Sequence, residues 1–225
     1  MSPWFAHLYT GLGAVVALLA TLDVLAGDYR GAFFWLGVQI FIDATDGVLA
    51  RALRVKERLP HFDGARLDDI IDYLCYVFIP VLLLLHAELL PTAWGVWVGA
   101  AILLSSAYGF SQTAAKVKTT DYFFTGFPSY WNLVAFYVFL LNLSPEVNAA
   151  VLLMFAVLVF VPLRYVYPSR TQTLSVLTNV LGGLWAVLAI WILWRLPAKD
   201  GPWILLSLLF PVYYMALSLW LNFKR

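Results

Sequence analysis

Apolar residues run along this chain in long stretches that no charge interrupts. Five segments hold no Asp, Glu, Lys or Arg: 1–22, 89–115, 122–145, 171–194 and 201–223. A helix rises about 1.5 Å per residue, so about 20 apolar residues cross a hydrocarbon core of about 30 Å. The runs are continuous and do not alternate between apolar and polar, as the strands of a membrane barrel would. They predict transmembrane helices.

Three further runs are shorter: 31–42, 73–87 and 147–163. The first two reach full length only if they extend into the charged window that separates them. With those extensions, the pattern predicts an all-α membrane protein of eight helices, over about 7–26, 31–52, 67–88, 93–114, 128–143, 147–166, 172–194 and 202–222. No repeat, low-complexity tract or linker divides it, so residues 1–225 are expected to be a single polytopic domain.

Composition supports the membrane reading. The chain is 63% hydrophobic and 12% charged, against about 45–50% and about 25% in soluble domains. Ten Trp and twelve Tyr suit two interfacial belts. A net charge of +1 leaves no basic footprint for nucleic acid. The lone Cys75 lies in an apolar run and reads as a small core residue. The N-terminus has neither a basic n-region nor a cleavage pattern, so no removed signal peptide is expected. Lys and Arg fix the orientation. Arg51, Arg54, Lys56, Arg58, Arg66, Lys116, Lys118, Arg164, Arg170, Lys224 and Arg225 fall at one end of the predicted bundle. Only Arg30, Arg195 and Lys199 fall at the other. The richer end, with both termini, is expected in the cytoplasm.

Carboxylates stand where the spans need none. Asp43, Asp46, Gly47, Ala50 and Arg51 are spaced to share one helical face, and Gly64, Asp68 and Asp72 share another. An antiparallel helix pair would bring the two faces together just inside the cytoplasmic boundary. Four such carboxylates repel one another, and a divalent cation removes the conflict. Oxygen-only ligands suit Mg²⁺, Mn²⁺ or Ca²⁺, held as one ion or a pair, whereas Zn²⁺ would ask for His or Cys. Gly47, Ala50 and Gly64 leave room for a bulky ligand, and Arg51 suits a phosphate. Asp69 falls off the second face and reads as solvated. His61 and Asp63 read as loop residues, and Lys116 and Lys118 as anchors for anionic lipid. Intramembrane carboxylates, by contrast, are functional by default.

The pattern Asp43-x2-Asp46-Gly47-x2-Ala50-Arg51, followed by Gly64-x3-Asp68-x3-Asp72, resembles the signature of the CDP-alcohol phosphotransferases, integral membrane enzymes of phospholipid synthesis. Between Arg51 and Gly64 the chain has twelve residues, 52–63, where most of the family has eight. The longer insert, "VKERLPHFDG" and "DYFFTGFPSYWN" resemble the family's bacterial phosphatidylcholine-synthesising branch.

The resemblance implies a reaction of CDP-diacylglycerol with choline that releases CMP at the bacterial inner membrane. It also implies two Mg²⁺ or Mn²⁺ ions on Asp43, Asp46, Asp68 and Asp72, with Asp72 as base. The CMP site would be lined by Asp43, Gly47, Ala50, Arg51 and Gly64, and the family often forms homodimers. A quaternary ammonium calls for aromatic faces; Tyr76, Tyr122, Tyr130 and Trp131 are the candidates, against a bland reading as belt or packing residues. Two other readings stay open. One is the same chemistry with inositol phosphate, glycerol phosphate or serine as acceptor. The other is a divalent-cation carrier, which the one-sided placement of the carboxylates disfavours.

Overall fold

The computed structural model describes residues 2–112, 116–117 (backbone only), 123–167, 171 and 173–223. Helices α1 (Trp4–Leu25) and α2 (Tyr29–Ala52) form an antiparallel pair. Between them the backbone turns through Gly27, whose φ of +73° suits glycine. The Asp28 carboxylate caps α2 by accepting from the Gly31 N–H at 3.0 Å. The inward face of α1 is small: Ala6, Thr10, Gly13, Ala17 and Ala20 are buried, while Leu8, Val15, Leu18 and Leu22 face outward. Small residues let helix backbones approach closely where no water drives them together. A Cβ on Gly13 would collide with the side chains of Gln39 and Ile71.

The basic turn after α2 contains one short helix, α3 (Val55–Arg58). Asp63 then caps α4 (Gly64–Asp72), accepting from the Arg66 N–H at 3.0 Å. Helix α4 passes into a π-helical segment (Tyr73–Phe78) and then α5 (Ile79–His86), together one apolar rod of 23 residues. Pro80 has no N–H to bond the Tyr76 carbonyl four residues back, and the wider turn accommodates that gap. Cys75 is buried in this rod, as its apolar run suggested.

Beyond it lie α6 (Gly95–Ser111), α7 (Trp131–Leu141), α8 (Pro145–Leu158), α9 (Ser175–Arg195), α10 (Gly201–Ser207) and α11 (Leu209–Phe223). Among the described residues, five helical stretches are long and apolar enough to cross a membrane: Trp4–Leu25, Tyr29–Ala52, Gly64–His86, Ser175–Arg195 and Gly201–Phe223. Helices α6, α7 and α8 are apolar but shorter. In the last stretch α10 breaks from α11, because Pro211 cannot donate to the Ser207 carbonyl.

The fold is mostly helical, but it also contains a small antiparallel sheet that the hydrophobic pattern did not predict. Strands β1 (Lys116–Val117), β2 (Phe123–Thr125) and β3 (Arg164–Val166) lie in the order β1-β2-β3, with Phe124 opposite Tyr165. The helix expected over 147–166 therefore stops at Leu158. Pro162 disfavours helix at the residue before it and removes a donor. Gly126 makes the join possible. Its φ is +80°, and a Cβ there would run into the Val159 carbonyl. Its N–H instead donates to the Leu163 carbonyl at 2.8 Å. The N-terminus of α1, the C-terminus of α2 and the N-terminus of α4 thus meet at one end of the molecule.

Candidate active site

Helices α2 and α4 bring Asp43, Asp68 and Asp72 together. Each offers a carboxylate oxygen, and the three oxygens lie within 4.8 Å of one another at half-buried positions. Two oxygens on opposite sides of one ion, each bonded at about 2.1–2.4 Å, stand about 4.2–4.8 Å apart. The donor set is all oxygen, so it fits Mg²⁺ or Mn²⁺ and offers nothing that favours Zn²⁺.

Asp46 is not in that trio. It is buried, 8% exposed, and a carboxylate oxygen accepts from the Thr10 hydroxyl at 2.7 Å. Asp43 is fixed in the same manner, accepting from the Tyr76 hydroxyl at 2.8 Å. Each acidic residue of α2 is thus oriented by a hydroxyl from a neighbouring element, Asp46 from α1 and Asp43 from the π segment. At the adjacent positions of α1 and α2, Tyr9 and Thr45 share a hydrogen bond of 2.8 Å.

The small residues of the motif differ from one another. A Cβ on Gly47 would meet only the Arg51 guanidinium, at 3.3 Å, so that side chain folds back over the glycine. Ala50 is half-buried nearby on the same face. Gly64 is crowded instead: a Cβ there would come within 2.6 Å of the His7 ring. His7 is buried, 8% exposed, and packs on Phe62 with centroids 4.2 Å apart. The clearance beside Gly64 that the sequence suggested for a ligand is occupied in part by His7.

Helix α1 supplies two groups that the sequence reading passed over, His7 and Thr10. Their signal was available. They are polar positions three residues apart in a run otherwise free of charge, on the face that carries Gly13.

The aromatic candidates separate. Tyr76 and Tyr130 lie beside the carboxylates, with centroids 6.4 Å apart. Trp131 turns away. It is fully buried, its indole N–H donates to the Ser106 hydroxyl at 2.7 Å, and its ring meets Phe127 edge-on at 5.2 Å. Tyr122 lies outside the described residues, as do Lys118, Arg170, Lys224, Arg225 and the Lys116 side chain.

Carboxylates paired across two helices at one end of an apolar bundle suit metal-assisted transfer of a phosphate-linked group. Comparison with known proteins agrees: the chain belongs to the CDP-alcohol phosphatidyltransferase family, whose model matches residues 5–163. It is therefore a phosphatidyltransferase, an enzyme of phospholipid biosynthesis.

Among its relatives is the phosphatidylcholine synthase of Legionella pneumophila, 39% identical over 99% of this chain and 88% of that protein. The phosphatidylcholine synthase of Pseudomonas aeruginosa is 37% identical over 96% of this chain and 90% of its own length. That of Bradyrhizobium diazoefficiens is 37% identical over 97% and 78%.

Proposed function

We propose that the protein transfers the phosphatidyl group of CDP-diacylglycerol to choline, yielding phosphatidylcholine and CMP. The observation that carries this reading is the trio Asp43, Asp68 and Asp72, with oxygens within 4.8 Å. The full-length likeness to phosphatidylcholine synthases adds the acceptor.

Asp43, Asp46, Asp68 and Asp72 would hold one or two Mg²⁺ or Mn²⁺ ions, which would supply Lewis-acid stabilisation of the diphosphate's charge. Gly47, Ala50, Arg51 and Gly64 line the CMP moiety together with Asp43, and Arg51 pairs with phosphate. The choline oxygen attacks the phosphorus that carries diacylglycerol, and the bond from that phosphorus to the CMP oxygen breaks. Asp72 takes the hydroxyl proton. Positioning and charge stabilisation do most of the work in such transfers. The acyl chains stay in the bilayer and enter between helices.

In the same proposal residues 1–225 form one domain with eight membrane passes, α6, α7 and α8 completing their crossings with flanking segments. The site and both termini face the cytoplasm of a bacterial inner membrane, which the bias in Lys and Arg supports. The expected assembly is a homodimer.

A panel of acceptors tests the reading. Purified protein with CDP-diacylglycerol and Mn²⁺ should release CMP with choline, and not with inositol phosphate, glycerol phosphate or serine. Release with one of those alcohols alone would reassign the acceptor. Ion flux in liposomes without CMP release would overturn the enzyme reading.

A further inference from the structure

Tyr130, at the start of α7, stands among three other rings drawn from three different elements. Phe124 of β2 lies 6.4 Å away at an interplanar angle of 85°. Tyr76 of the π segment lies 6.4 Å away at 52°, and Tyr214 of α11 lies 6.4 Å away at 60°. Tyr214 is held firmly: its hydroxyl donates to the Val166 carbonyl at 2.9 Å, and its ring stacks on Tyr165 at 6.5 Å.

These separations are long for rings pressed face to face, and they suit adjacent walls of one box. Two rings at a right angle, each about 4.5 Å from a shared cation, have centroids about 6.4 Å apart, and the cation then lies inside the ~6 Å reach of both faces. The box adjoins the carboxylates. Tyr76, whose ring lies 6.4 Å from Tyr130, donates its hydroxyl to Asp43 at 2.8 Å. A cation among the rings is drawn by their π faces and by that negative charge together. By helical rise Tyr214 lies about 14 Å in from the end of α11, as Asp43 does from the end of α2.

We propose that Phe124, Tyr130 and Tyr214 form the walls of a site for a quaternary ammonium group, and that this site selects the acceptor. The inference rests on the reaction proposed above and adds where the acceptor's charged end is held. It gives the small sheet a purpose, since β2 supplies Phe124 and β3 braces Tyr214. It separates Tyr76, whose hydroxyl is engaged with Asp43, from the walls proper, and it leaves Trp131 out. Tyr214 lies beyond residues 5–163 that the family model matches, so the acceptor site draws on a part of the chain outside the shared transferase region.

The test uses the full-length protein with CDP-diacylglycerol and Mn²⁺. Two acceptors are compared: choline and 3,3-dimethylbutan-1-ol, its neutral isostere with carbon in place of nitrogen. Tyr214→Leu should raise the KM for choline by about thirtyfold, the size of a desolvated cation–π contact, with the KM for CDP-diacylglycerol little changed. Tyr214→Phe keeps the ring but loses the hydroxyl bond to Val166, and should raise the choline KM less than Tyr214→Leu does. Phenylalanines of increasing fluorination at position 214 should raise the choline KM stepwise and leave the neutral isostere unaffected. This last series keeps the shape of the ring, so it decides the matter even if Tyr214→Leu does not fold. A flat fluorination series in an enzyme that uses choline overturns the ring site alone. A wild-type protein that releases no CMP with choline overturns the acceptor reading beneath it.

Discussion

The carboxylate cluster and the ring cluster lie side by side and are built in opposite ways. Asp43, Asp46, Asp68 and Asp72 come from two helices near in sequence, α2 and α4, at spacings of three and four residues that any helix turns into a common face. The rings come from residues 124, 130 and 214, on three elements that meet only once the chain has folded. The first cluster is a local property of the sequence. The second is a property of the packing. On the proposed reading, the catalytic chemistry is thus encoded locally, whereas acceptor recognition depends on how the C-terminal helix packs against the rest.

The largest effect that would break this division concerns the base. Asp72→Asn should lower turnover by about a thousandfold or more, at the upper end of general-base contributions with metal ligation added, while CDP-diacylglycerol still binds. Near-normal CMP release from that variant would remove the base assignment.

Next come the hydroxyls that orient the α2 carboxylates. Tyr76→Phe removes the donor to Asp43, and Thr10→Val removes the donor to Asp46. Each should weaken Mn²⁺ binding by about 10–100-fold, as partners of metal ligands do, measured by the electron paramagnetic resonance of free Mn²⁺. If Tyr76→Phe changed only the KM for choline and left Mn²⁺ affinity intact, Tyr76 would belong with the rings instead.

The smallest effect sharpens the boundary between packing and recognition. Trp131→Phe loses the bond to Ser106 and should cost about 1 kcal/mol of stability, with the KM for choline unchanged. A rise in that KM would return Trp131 to the acceptor site.

The contrast also explains what could be read before folding. Several spans are legible within a few residues: α1 and α9 lie where uncharged runs put them, and α2 where its run extended into the charged window puts it. The motif faces are legible too, because helical spacing puts Asp43 and Asp46 on one face of α2 and Asp68 and Asp72 on one face of α4; the antiparallel turn between the helices brings the faces together. The sheet was not legible. Its strands are two or three residues long; β2 sits in an uncharged run and β3 at the end of the helix expected over 147–166, and neither reads as strand until Pro162 and Gly126 are weighed together. The π segment was hidden too, since Pro80 inside an apolar run does not by itself say which turn widens. Trp131 reads from sequence like any interfacial aromatic, and only its contact with Ser106 shows that it serves the core. Gly64 was read as clearance for a ligand, and only the folded chain reveals that His7 is the neighbour requiring it.

The account stands most directly on one measurement: incorporation of radiolabelled choline into lipid by the purified protein with CDP-diacylglycerol, as Mn²⁺ is titrated from a chelated start. Labelled phosphatidylcholine should be absent with chelator, should rise to saturation with the ion, and should be matched mole for mole by CMP. Full activity in the chelated sample, or no labelled lipid at any concentration of Mg²⁺ or Mn²⁺, would contradict it.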